Sequence, residues 1–147
     1  MTPNQRLPRL VLGEGIVLSL LVVWLGEGLV GMDGSAEEVV PRLVRTLLAA
    51  LPFAILSLYA SNLLEKGGRT AEAEVLGAVA LVTAGFLLLW GWYLFEAMRP
   101  SGAGANIGMG IIMIFSPLIL AMLIPPGRWL GRKRAVQVRG PEHHQES

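Results

Sequence analysis

Apolar residues fall into four blocks along the chain, at about 10–30, 43–64, 75–95 and 106–124, and the segments between them hold nearly all the charges. At about 1.5 Å of rise per residue, each block reaches roughly the 30 Å of a bilayer's hydrocarbon core. Apolar runs of this length read as membrane-spanning helices, because strands and surface helices are shorter or alternate in polarity. The pattern predicts an all-α membrane protein: a four-helix transmembrane bundle with short loops over residues 1–127, then a basic, partly disordered tail over 128–147.

The polar segments supply the punctuation. Between the first two blocks, Ser35 can cap a helix whose box is closed by Glu38. The second helix then starts outside the membrane, with Pro41 in its early turns and Arg42 and Arg45 one turn apart near the water boundary. Glu65-Lys66-Gly67-Gly68-Arg69-Thr70 makes a tight turn with a glycine terminator and a Thr70 cap, so helices two and three form an antiparallel hairpin. Pro100, Gly102 and Gly104 mark the next loop. Pro125-Pro126-Gly127 reads as the stop of the last helix, and Gly140 to Ser147 as a polar, disordered end.

Charge sets the orientation. Nine of the 12 Lys and Arg residues lie before the first block, in the second loop or after the fourth; only Arg42, Arg45 and Arg99 lie on the other side. The positive-inside rule therefore predicts cytoplasmic termini, and Trp24, Trp90, Trp92, Tyr93 and Trp129 near block ends fit interfacial belts. Met1 to Arg9 resembles a signal-peptide n-region, but the first block is long and lacks a clean cleavage site, so it reads as retained. Arg outnumbers Lys ten to two amid abundant Ala, Gly and Leu, a composition of GC-rich bacterial genomes, which makes the bacterial inner (plasma) membrane the expected location.

Composition agrees and narrows the chemistry. Hydrophobic residues make up 53% of the 147 and charged residues 16%, outside the range of ordinary soluble domains. A net charge of +1 gives no field for nucleic acid, which is not expected as a partner. Without cysteine there is no disulfide, thiol nucleophile, iron–sulfur or zinc–thiolate chemistry. Both histidines, His143 and His144, lie in the tail, so no span offers a haem or metal ligand of that type. Nucleotide-binding and hydrolase fingerprints are lacking, so neither a cofactor nor a metal is expected, and an enzyme is the least favoured class.

The candidate chemistry lies in a duplication within the first block, Leu12-Gly13-Glu14-Gly15 and Leu25-Gly26-Glu27-Gly28. Thirteen residues between the carboxylates mean about 20 Å of rise and about 140° of rotation on an α-helix, so Glu14 and Glu27 are separate sites. A carboxylate at this depth either handles protons or pairs with a cation, and Arg42 and Arg45 are the cations within reach. If Trp24 marks the headgroup level, Glu27 becomes an aqueous flank and Glu14 the deeper acid. The flanking glycines, the row Ala73, Gly77, Ala80 and Ala84, and Gly104-x-x-x-Gly108 allow close helix packing. Pro52 and Pro117 interrupt helices two and four, while Ser57, Tyr59, Ser61 and Asn62 read as interhelical hydrogen-bonding groups and interface anchors.

Four short spans with a carboxylate early in the first helix resemble the layout of the small multidrug resistance transporters, a resemblance that implies proton and cation exchange at such a Glu. It extends to layout alone: here the loops and tail are longer and a second Glu is present. The residues themselves favour a non-catalytic scaffold or accessory subunit in contact with the lipid bilayer, as a homo-oligomer or in a larger membrane complex. A small oligomeric proton-coupled transporter using Glu14 or Glu27 is the alternative, and a lipid-modifying enzyme at the cytoplasmic face comes last.

Overall fold

The computed structural model describes residues 3–29, 39–99 and 104–139. Helix α1 runs Pro3–Leu20, loosens into a π-helical stretch over Leu21–Gly26 and closes with the turn Glu27–Leu29. Helices α2 (Val39–Glu65) and α3 (Ala71–Met98) follow, then α4 (Gly104–Ala121) and α5 (Ile124–Arg139). Among the described residues, four stretches are long and apolar enough to cross a membrane: Arg6–Leu29, Val39–Glu65, Ala71–Met98 and Gly110–Val138. The chain is thus an all-α four-helix bundle with the make-up of a small multi-pass membrane protein. The Ser35–Glu38 capping box, Gly104-x-x-x-Gly108 packing and the two tail histidines lie outside the residues whose side chains are described.

The last span departs from expectation. Pro125-Pro126-Gly127 does not end the fourth helix, which breaks only at Met122 and Leu123 and resumes at Ile124. The prolines occupy the first turn of the resumed helix, where an N–H has no intrahelical acceptor to lose and a φ near −65° is already helical. Gly127 N–H then bonds to the Leu123 carbonyl at 3.0 Å, and the helix continues to Arg139. Residues 128–139, expected in a tail, therefore belong to the bundle.

Two helix pairs carry the packing, α1 on α2 and α3 on α5. Glycine sets the spacing in both. A Cβ on Gly15 would lie 2.2 Å from Phe53 Cβ, so α1 and α2 reach their present distance only without one. A Cβ on Gly131 would lie 2.0 Å from the Ala73 carbonyl oxygen, and one on Gly77 would lie 2.3 Å from the Gly127 carbonyl oxygen. Gly127-x-x-x-Gly131 thus lies backbone to backbone on Ala73-x-x-x-Gly77, the small-residue contact that bilayers favour where lipid offers no hydrophobic drive between helices. Ala73 and Gly77 are in this seam, whereas Ala80 and Ala84, expected on the same face, are exposed.

Between the pairs lies an aromatic column. Phe53 from α2 meets Phe86 edge-on at 5.3 Å, Phe86 tilts against Trp90 at 6.0 Å, and Trp90 meets Tyr93 at 5.5 Å. Helices α2 and α3 are joined by a tight turn in which Gly67 takes φ 67°, a left-handed conformation suited to glycine. Thr70 does not cap α3 with its side chain; its hydroxyl donates instead to the Glu74 carboxylate at 2.8 Å.

Candidate functional site

Of the four candidate residues, three come together. Glu27, on α1 just past the π-helical stretch, has no exposed side-chain surface. Arg45 approaches it with Nε 2.7 Å from Oε1, and its Nη2 donates to Oε2 at 2.9 Å. Arg42 Nε stands 3.5 Å from Oε2, and Tyr93 of α3 donates its hydroxyl to Oε1 at 3.3 Å. Three helices therefore converge on one carboxylate, and Glu27 is not an aqueous flank. Trp24 belongs to the same cluster: Arg42 lies 5.9 Å from the centre of its ring, and its indole N–H donates to Thr46 at 3.2 Å.

The π-helical stretch explains how Glu27 turns inward. Buried positions on α1 run Val11, Gly15, Ser19, Val23 and Glu27, at a constant spacing of four. On a regular α-helix such a row winds around the axis, and Glu27 would leave the seam. The i→i+5 bonding of Leu21–Gly26 puts more residues in each turn, so the row is rotated back along this stretch and Glu27 stays against α2. Each Gly-Glu-Gly has one packed and one open glycine. Gly15 meets Phe53 and Gly26 meets Leu94, whereas Gly13 and Gly28 face open space.

Glu14 stands apart, as the helical arithmetic requires. It is half-buried, accepts a hydrogen bond from Thr83 of α3 at 3.0 Å, and makes no salt bridge among the described residues. The bond joins the α1–α2 pair to the α3–α5 pair. Nearby, Ser19 returns its hydroxyl to the Gly15 carbonyl at 2.6 Å, and Ser57 of α2 donates to the Pro8 carbonyl at 2.7 Å.

A second acid cluster lies at the opposite end of the bundle. Glu74, in the first turn of α3, is buried with 4% of its side chain exposed. Arg128 and Arg132 of α5 both bring Nε to it, Arg132 at 2.9 Å. The two arginines are four residues apart on one helix face, which places both over a single carboxylate. Sequence reasoning missed this site because it ended the helix at Gly127. The spacing Arg128-x-x-x-Arg132, interleaved with Gly127-x-x-x-Gly131, was its signal.

Chemically, the buried acids at both ends are matched by cations from a neighbouring helix, an arrangement that holds helices in register. Among the described residues no group of three or more His, Asp or Glu side chains could hold a metal ion. No protein-family model, curated protein or solved structure matches the chain.

Proposed function

We propose that this chain is a non-catalytic structural subunit of a membrane assembly. One observation carries the reading: Glu27 and Glu74, the two buried acids among the described residues, are each taken up by two arginines of this same chain. Polar groups so committed lock helices together and leave little for turnover. The outer surface is apolar, with Leu47, Leu58, Leu88, Ile114 and Met122 among its most exposed residues, as contact with lipid or other helices requires. Purification from native membranes in a mild detergent tests the proposal. A partner at fixed stoichiometry, or a defined homo-oligomer, is the expected result; a lone monomer would sink it.

A second reading rests on Glu14, a membrane-embedded acid that among the described residues is bonded to a hydroxyl and not to an arginine. Such a group can exchange protons or bind a cation, as a small oligomeric transporter would need. Under that reading Glu14→Gln leaves folding intact and abolishes pH-dependent ligand binding or vesicle uptake. Under the structural reading the same variant leaves assembly unchanged and has no pH response to remove.

We place both termini in the cytoplasm of a bacterial cell, on the Lys and Arg distribution. A cysteine introduced at position 101 should react with an impermeant reagent from outside, and one at 147 only after permeabilisation.

A further inference from the structure

The end of the bundle that holds Glu74 carries more charge than that acid can absorb. Arg128 and Arg132 set two positive charges against one negative, and Lys133 and Arg134 follow directly on the same helix. Both arginines meet Glu74 through Nε, so terminal amino groups remain on each to serve a second anion. Their side chains are 38% and 54% exposed, whereas the carboxylate between them is buried. The acid thus holds the guanidinium groups in place and leaves their outer edges accessible.

Those edges line a groove of about 510 Å³, bounded by Tyr59, Ile124, Pro125, Arg128, Trp129 and Arg132. Its two kinds of wall suit different parts of one ligand. Ile124 and Pro125 offer an apolar floor continuous with the membrane-spanning part of the last helix. Tyr59 and Trp129 are amphipathic rings of the kind that settle at headgroup level. Arg128 lies 5.8 Å from the centre of the Tyr59 ring, and Lys133 Nζ lies 3.8 Å from that of Trp129, so a cation stands beside each ring. Arginine pairs present planar N–H forks suited to phosphate oxygens.

We infer that this groove is a binding site for an anionic glycerophospholipid, with the phosphate on the outer edges of Arg128 and Arg132 and the glycerol and upper acyl carbons on Ile124, Pro125 and Trp129. The inference is independent of whether the chain is a scaffold or a transporter. Charge complementarity favours lipid over an acidic protein segment, because the apolar floor adjoins the cationic rim at membrane depth.

The test is native mass spectrometry of the full chain in detergent, titrated with dioleoyl phosphatidylglycerol or dioleoyl phosphatidylcholine. The wild type should retain one phosphatidylglycerol at a concentration several-fold below that needed for phosphatidylcholine. In Glu74→Gln/Arg128→Gln/Arg132→Gln, which removes acid and bases together, the preference should fall by about fivefold for each net charge lost. Should that variant not fold, Trp129→Ala/Lys133→Gln leaves the Glu74 cluster whole and should weaken retention by a similar factor. Equal retention of the two lipids by the wild type, or a preference untouched in the folded variants, would overturn the proposal. So would displacement of bound phosphatidylglycerol by millimolar inorganic phosphate or by a polyglutamate peptide, which would identify a simple phosphate or acidic-protein site.

Discussion

The two ends of the bundle use the same chemistry under different exposure. At one end Glu27 is fully buried and its arginines, Arg42 and Arg45, are 11% and 27% exposed. At the other, Glu74 is nearly as buried, but Arg128 and Arg132 stand 38% and 54% exposed. Burial of both partners raises the stakes of pairing, since a charge left alone in a low-dielectric site has no water to return to. Partial exposure lowers those stakes and leaves donors for something else. The Glu27 cluster is therefore read as a lock, and the Glu74 cluster as a lock with an open side.

The largest expected effect follows from that contrast. Glu27→Gln removes the buried negative charge that Arg42 and Arg45 both face, and should destabilise the bundle by about 3–5 kcal/mol, the usual cost of breaking a buried pair from one side. Denaturant titration of the purified protein in detergent, followed by circular dichroism, reads it. A loss under about 1 kcal/mol would mean that the arginines find water and that the lock is interfacial.

Next comes the seam beside the Glu74 end. Gly131→Ala forces a methyl against the Ala73 carbonyl, where only backbone movement makes room, and should cost about 1–3 kcal/mol. Gly13→Ala meets open space and should cost almost nothing. Equal effects from the two would deny that α3 and α5 are held by close approach.

Glu74→Gln should cost less than Glu27→Gln, on the order of 1 kcal/mol, because Arg128 and Arg132 can turn to solvent or headgroups. Added salt should shrink that difference, while the effect of Glu27→Gln should resist it, since screening acts chiefly on exposed charges. A Glu74 effect as large and as salt-resistant as that of Glu27 would erase the contrast between the ends.

The spans were legible in the sequence because a bilayer demands long apolar runs and tolerates few charges, a constraint that composition alone expresses. The closeness of Glu27 to Arg42 and Arg45 was legible for a related reason, since an acid at that depth needs a cation and few were within reach. Two features were not. Leu21–Gly26 contains no helix breaker, so nothing in Leu-Val-Val-Trp-Leu-Gly marks a π-helical stretch. Pro125-Pro126 permits two opposite readings, a stop for the preceding helix or the first turn of the next, and the choice between them hid the pairing of Arg128 and Arg132 with Glu74. The packed face of α3 was legible in part, since Ala73 and Gly77 are in the seam while Ala80 and Ala84 are exposed; lipid-facing and partner-facing residues are equally apolar.

The smallest effect concerns the bond between the helix pairs, far from either end. Thr83→Val keeps shape and removes the hydroxyl that donates to Glu14. Hydrogen bonds between membrane helices average about 0.6 kcal/mol, because the unfolded chain in the membrane also finds partners. A loss near that value should appear in the same denaturant titration. The informative comparison is the double variant with Glu14→Gln. If the Thr83 bond is all that Glu14 does, removing both groups should cost about the same as removing either, since each single change already breaks the one interaction. If Glu14 serves a second role through bound protons or cations, pH-dependent ligand binding should persist in Thr83→Val and be lost only in variants lacking the carboxylate. The first result leaves both ends of the molecule as locks around a passive centre; the second makes the centre the working part and the two arginine clusters its frame.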